Sequence, residues 1–325
     1  MRVLILAYHR VYPGYHIDPE IFDFQMRVIK ERFLPLSLDE VISFLKGEIP
    51  LKRDGAVVTF DDGWADNFIY AYPILKKHGL RGAVFVTTGF ISDTPIVRPT
   101  LNDYWSGKVS LEELFKPMEM DKAIKEFAMQ GKSDQFLTWE EIRSMRDVFE
   151  VECHGHTHAY HFCSPKIVGT CGTDLHGRQN WLLLSGLHLE AGTSLYESGS
   201  ALAWPRYYGD YFESLDDYRN RVKQELETSV LLITDQIGVR PRHLAWPFGE
   251  YSQIGLNVAK EMGFLACYTT DQGVVTKGSD RYALPRFFPP RNRTIFLIAL
   301  KRIIGMPIYR QMLRMFRLRQ RTSNL

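Results

Sequence analysis

The stretch VVTFDDGW, residues 57–64, ends a run of strand formers in two adjacent carboxylates. Val57, Val58, Thr59 and Phe60 are β-branched or aromatic, which suits a buried strand. Asp61 and Asp62 then set two like charges side by side where that strand should stop. In a solvated turn the pair costs little, and an exposed turn is the ordinary setting for two adjacent aspartates. In a cleft it is expensive unless a cation or a shared proton is present.

Outward from this stretch, short apolar segments alternate with helical patterns. The pattern predicts strands at Val3–Tyr8, 56–60, 83–87, Phe149–Cys153, 243–246, 265–269 and 282–286. It predicts helices at Pro19–Arg32, 37–45, 70–78, 138–145, Leu215–Ile237 and 254–262. TWEEIRSM opens with a capping box, Thr138 with Glu141. Such βα alternation belongs to an α/β fold with a parallel sheet, open or closed into a barrel. Two stretches interrupt it, about 91–135 and 162–214, and the second holds the aromatic run SLYESGSALAWPRYYGDYF. In a barrel, insertions of this kind form a wall of the site.

The 325 residues are 45% hydrophobic, enough for a substantial core. The net charge of +2 is unevenly placed: residues 291–325 hold nine Lys or Arg and no acid, so the remaining body is acidic. Four cysteines, Cys153, Cys163, Cys171 and Cys267, are too sparse for a disulfide framework. The N-terminal MRVLILAYHRV has an apolar run too short for a signal peptide, and no stretch reaches the ~20 residues of a bilayer span. A cytoplasmic protein is the expectation.

Three polar clusters fall at the C-terminal ends of expected strands: Asp61-Asp62, CHGHTHAYH at 153–161, and WPFGEY at 246–251. Ligands bind at that end of parallel α/β sheets. The second cluster offers His154, His156, His158 and His161. Two imidazoles and one carboxylate would hold a divalent cation and leave positions open for water and substrate. With two aspartates, one can bind the cation while the other takes a proton from activated water. A His-rich solvated turn, or a zinc knuckle using Cys153, Cys163 or Cys171, would not account for aspartates on another strand.

TFDDG after a strand, a later HT…H at a strand end and a PFG segment after another strand resemble the polysaccharide deacetylases, also called carbohydrate esterase family 4. The resemblance spans about residues 2–290 and is nearest to the poly-N-acetylglucosamine deacetylase-like subgroup. It implies a distorted (β/α)7 barrel as one catalytic domain, 1–290, followed by a basic tail, 291–325. It also implies a divalent metal, usually zinc, with cobalt, nickel or manganese as alternatives, and hydrolysis of an N-acetyl group on an amino sugar.

Carried onto this chain, the resemblance makes Asp61 the general base and Asp62 a metal ligand. The family's usual spacing is His-Thr-x-x-His. Read from His156, position +4 is Tyr160 and position +5 is His161, a longer spacing found in the subgroup. His156 and His161 are therefore the expected metal ligands, Thr157 an orienting hydroxyl, and His154 and His158 supporting or solvent-facing groups. His9, in AYHRV, resembles the subgroup's general acid; the alternative is a buried histidine bonded to a carbonyl. Most members start the PFG segment with an arginine that pairs with the catalytic aspartate, where this chain has Ala245. Arg286 or Arg242 is expected to fill that charge role. The Phe248 N–H is the implied oxyanion donor, and Trp246, Tyr208, Trp204 and Arg206 are expected to line a sugar site.

Residues 294–321 mix apolar and cationic side chains at near-helical spacing, which suits an anionic membrane surface or a helix packed on the barrel. Nucleic acid is not an expected partner, because the body is acidic and no reading module is present. The expected activity is a metal-dependent N-deacetylase acting on a glycan or lipid-linked sugar at the inner membrane face. The competing expectations are a non-catalytic carbohydrate- or lipid-binding protein and a hydrolase of another amide or of an acetyl ester.

Overall fold

The computed structural model describes residues 1–304 apart from His16 and His176. The chain runs β1 (Val3–Tyr8), α1 (Pro19–Arg32), β2 (Leu34–Pro35), α2 (Leu38–Lys46), β3 (Gly55–Asp62), α3 (Tyr72–His78) and β4 (Gly82–Val86). It continues through α4 (Leu101–Trp105), α5 (Met120–Gln130), α6 (Trp139–Ser144), β5 (Phe149–Cys153), β6 (Tyr160–Thr170), α7 (Arg178–Leu183) and β7 (Ser194–Ser200). It ends with α8 (Leu215–Ile237), β8 (His243–Ala245), α9 (Gln253–Glu261), β9 (Ala266–Gln272), β10 (Leu284–Arg286) and α10 (Arg293–Ile304).

Seven parallel strands pair in the order β1-β3-β4-β5-β8-β9-β10. Beyond the end of β10, Phe287 bridges back to Leu6, with Phe287 N–H donating to Ile5 O at 2.7 Å and Ala7 N–H to Phe287 O at 2.9 Å. The sheet therefore wraps into a nearly closed (β/α)7 barrel. Its distortion is local: β5 and β8 share the single pair Cys153↔Leu244.

Strand periodicity sorts the core into two layers. Val3, Ile5, Val57, Ala83, Phe85 and Tyr268 point into the barrel, where α2 plugs the N-terminal end with Leu38, Val41, Ile42 and Phe44. Leu4, Leu6, Val58, Phe60, Val84 and Val86 point outward under the helices. On this count Asp61 continues the inward series, at the mouth of the barrel.

Local signals explain the helix ends. Asp18 caps α1 ahead of Pro19, and Ser37 with Glu40 closes a capping box on α2. The expected box of Thr138 and Glu141 opens α6. Gly238 ends α8 in the left-handed region.

The two interruptions hold structure of their own. The first carries α4 and α5; the second holds α7 and an antiparallel hairpin of β6 and β7 that starts at Tyr160. The described start of the basic tail is α10, which buries Phe296, Leu300 and Ile304 and contacts α1. Residues 305–321 of the expected membrane-facing segment lie outside the described residues. No described helix is long and apolar enough to cross a membrane.

Candidate metal centre and active site

At the end of β3 the two aspartates diverge. Asp61 stays on the inward face, and Asp62 turns away at φ 74°. That left-handed backbone is strained for a residue with a side chain and is a common feature of functional sites.

Asp62 Oδ2 accepts a hydrogen bond of 2.8 Å from Trp64 Nε1–H. This leaves Oδ1 facing His154 Nε2 and His158 Nε2, each 3.3 Å away. His154 Nδ1–H donates to Ala245 O at 2.7 Å, so its Nε2 lone pair points to the carboxylate. Asp62 Oδ1 is buried with no hydrogen-bond partner among the described residues, and so is His158 Nδ1. A buried carboxylate oxygen facing two imidazole nitrogens, with no proton shared between them, is the donor set a divalent cation completes. Among the described residues Asp62, His154 and His158 form the group able to hold a metal.

This geometry corrects the sequence expectation. His156 Nδ1 shares a hydrogen bond of 3.0 Å with Thr88 Oγ1. His161 Nε2–H donates to Trp204 O at 2.9 Å, and its ring lines a separate cavity. The physical reason lies in the turn. Cys153 ends β5, so His154 is the first residue past the strand. Gly155 at φ 80° and His158 at φ 53° then fold the segment back over the barrel mouth. Glu225 of α8 fixes the middle of that turn by accepting from the N–H groups of His156 and Thr157 and from Thr157 Oγ1. Thr157 therefore anchors the turn to α8. No cysteine joins the metal-binding group, and Cys153 Sγ donates to Ser229 Oγ.

Asp61 sits in a fork. Arg286 Nη1 and Nη2 reach its two oxygens at 2.7 Å each, and Arg286 Nε donates to Thr269 O. Arg286 is fully buried and occupies the charge role left open by Ala245, whereas Arg242 pairs with Asp39 at an exposed position. Burial alone would raise the Asp61 carboxyl; Arg286 first, then His154 and His9, outweigh it and hold the group below the usual carboxylate range. Burial likewise opposes ionisation of Asp62, and His154 and His158 reverse the balance further. Burial pushes His158 down to about 3, so its imidazole is neutral and able to ligate.

His9 lies with Nε2 3.9 Å from Asp61 Oδ2, one-third exposed, its ring stacked on Phe288. Phe248 adopts φ 59°, and its ring packs on Tyr160 and His158. Its N–H has no acceptor among the described residues. Asp61, Asp62, His154, His158, His9 and Phe248 all line one cavity of about 860 Å³, with the buried Trp246 in its wall. Tyr208, Trp204 and Arg206 do not line it. Tyr208 and Arg206 line the second cavity, and Trp204 Nε1–H donates to Glu250.

Sequence reasoning missed Trp64, although it closes the opening stretch, and it missed Trp181, whose ring packs 4.6 Å from that of His158.

Comparison with known proteins follows the geometry. A family model described as polysaccharide deacetylase matches residues 49–267, more than half of the chain. The poly-beta-1,6-N-acetyl-D-glucosamine N-deacetylase of Escherichia coli K12 is 22% identical over 265 residues, which is 81% of this chain and 32% of that protein. The chain thus spans about a third of the length of the curated relatives it matches. Among solved structures, a de-N-acetylase from Aggregatibacter actinomycetemcomitans aligns with TM-score 0.63 at 21% identity, covering 92% of this chain and 99% of that one. The BpsB deacetylase domain from Bordetella bronchiseptica aligns with TM-score 0.58 at 21% identity, covering 88% and 95%. These two likenesses bear on the fold, and the family match reaches from before β3 into β9, across the strand ends that carry the aspartates and histidines. The chain belongs to the polysaccharide deacetylase family.

Proposed function

We propose that this chain is a metal-dependent hydrolase that removes the acetyl group from an N-acetylated amino sugar of a glycan. One observation carries the reading: Asp61, paired with Arg286, stands beside Asp62, His154 and His158 in a single cavity at the barrel mouth.

Asp62 Oδ1, His154 Nε2 and His158 Nε2 would hold a divalent cation, and zinc suits this nitrogen and oxygen set best, ahead of cobalt, nickel or manganese. When bound, the cation polarises the amide carbonyl and lowers the pKa of water. Arg286 keeps Asp61 ionised and fixes its direction, so that a carboxylate oxygen is free of protons when water approaches. Asp61 takes a proton from that water as the water oxygen bonds to the acyl carbon. The Phe248 N–H, turned toward the cavity by its positive φ, donates to the acyl oxygen as negative charge develops there. His9, at the exposed side of Asp61, gives a proton to the amide nitrogen as the C–N bond breaks. Acetate and a free amine leave. Trp246 and Phe248 supply apolar walls that exclude bulk water from the reacting carbonyl.

Acetate and amine release from N-acetylglucosamine oligosaccharides tests this reading. Release that stops with chelator and returns with zinc is the expected result. Acetate from acetyl esters alone would make the chain an esterase, and sugar binding without acetate would make it a binding protein. We further propose that residues 294–321 touch an anionic membrane surface, with a lipid-linked sugar as substrate, and that the chain works in the cytoplasm. Seven basic residues without an acid support this contact. Failure of the full chain to co-sediment with phosphatidylserine vesicles at low salt would refute it.

A further inference from the structure

The β6–β7 hairpin stands between two cavities. Tyr160 lines the one that holds the aspartates, and its neighbour His161 lines a second, of about 360 Å³. Successive strand residues face opposite sides, so the hairpin acts as a partition. Phe162, Tyr196, Arg206, Tyr207 and Tyr208 complete much of the second wall. Its size lies within the range of small-molecule sites.

Two buried polar atoms in that wall lack partners. His161 is fully buried, and Trp204 O, which can only accept, fixes the proton on Nε2. Nδ1 is then a lone-pair acceptor, and it has no partner among the described residues. Arg206 Nε–H is likewise buried and unpartnered, although Nη2 donates to Ser185 O at 3.3 Å. The nearest carboxylate, Glu213, accepts from the Arg206 backbone N–H and is held by the Arg221 guanidinium. One acceptor and one donor thus remain unmet, at a desolvation cost to the folded chain. Beside them Tyr208 is half exposed and stacks on Tyr211 at 4.8 Å, while Tyr207 and Phe212 add a second aromatic pair.

The chemistry of the unmet atoms selects the ligand. A carboxylate or a phosphate dianion would satisfy Arg206 and has no proton for His161 Nδ1. An apolar ligand would satisfy neither. A hydroxyl group donates to Nδ1 and accepts from Nε–H, and a sugar ring adds C–H faces that pack on tyrosine rings. We propose that the cavity bounded by His161, Arg206 and Tyr208 is a second saccharide site, which holds a neutral sugar ring apart from the cavity of Asp61. That the ring belongs to the same glycan as the reacting sugar rests on the proposed function; the recognition chemistry does not.

The test uses the full chain carrying Asp61→Asn, labelled with 3-fluorotyrosine, and an N-acetylglucosamine tetrasaccharide. The Tyr208 resonance is assigned by its loss in Tyr208→Phe. It is expected to shift on adding sugar, and Arg206→Met should weaken the fitted affinity about five- to tenfold. A Tyr208 resonance that stays fixed in millimolar sugar overturns the proposal, as does an equal affinity in a folded Arg206→Met chain. If Arg206→Met does not fold, the response of Tyr208 alone decides. Acetate release by the unmutated chain with an unmoved Tyr208 sinks the second site and leaves the deacetylase reading standing. A shifted Tyr208 without acetate release does the reverse.

Discussion

Asp61 and Asp62 are neighbours in the chain with different surroundings, and that difference divides their work. Asp61 keeps the inward parity of β3 and meets Arg286; Asp62 turns at φ 74° and meets Trp64 and two histidines. Asp61→Asn should reduce acetate release by about 10²–10⁴-fold while metal content stays at the unmutated level. Loss of the metal as well would show that the two carboxylates act as one site. Trp64 Nε1–H occupies Asp62 Oδ2 and so aims Oδ1 at the imidazoles. Trp64→Phe should weaken metal affinity about 10- to 100-fold, read by competition with a chromophoric chelator. An unchanged affinity would reduce Trp64 to packing. The aspartates were legible because two charges closing a strand demand a partner. The histidine pair was misread: His154 and His158 also lie four apart, but the positive φ at His158 that brings it to Asp62 has no signature in a non-glycine residue.

At the scale of elements, the turn after β8 positions Phe248. Gly249, at φ 73°, packs so closely that an added Cβ would stand 2.6 Å from Thr270 N. Gly249→Ala should therefore displace the Phe248 N–H and lower kcat by about 10²–10³-fold with metal still bound. Normal turnover in this variant would remove Phe248 from the mechanism. In β5, burial raises Glu152 to about 8, against the N–H groups of His243 and Arg242 that favour its charge. The folded chain thus holds a proton that the unfolded chain releases near pH 4.5, so this group's contribution falls as pH rises from there to about 8. Glu152→Gln should flatten that loss by an amount on the order of a few kcal/mol, measured by urea unfolding at pH 5.5 and 8.5. Identical slopes in both proteins would contradict it. The barrel strands and capped helices were readable because apolar runs and caps are local signals. The β6–β7 hairpin was not, since β6 is exposed beyond Ser164 and carries Pro165 and Gly169 within it.

At the scale of the whole molecule, closure of the barrel makes the site. Arg286 meets Asp61 across 225 residues because the end of β10 returns to β1, and His9 arrives by the same closure at the end of β1. The fold could be inferred from alternation and resemblance, but the choice between Arg286 and Arg242 is a property of that seam, which no local pattern encodes. The same holds for Tyr208 and Arg206, which an aromatic-rich insertion places in a cavity of their own. The central claim, that Asp62, His154 and His158 converge on one divalent ion, is tested most directly by zinc titration of the purified, chelator-stripped full chain and four variants. His154→Ala and His158→Ala should each abolish stoichiometric binding, while His156→Ala and His161→Ala retain it. Retention in the first pair with loss in the second would contradict the account.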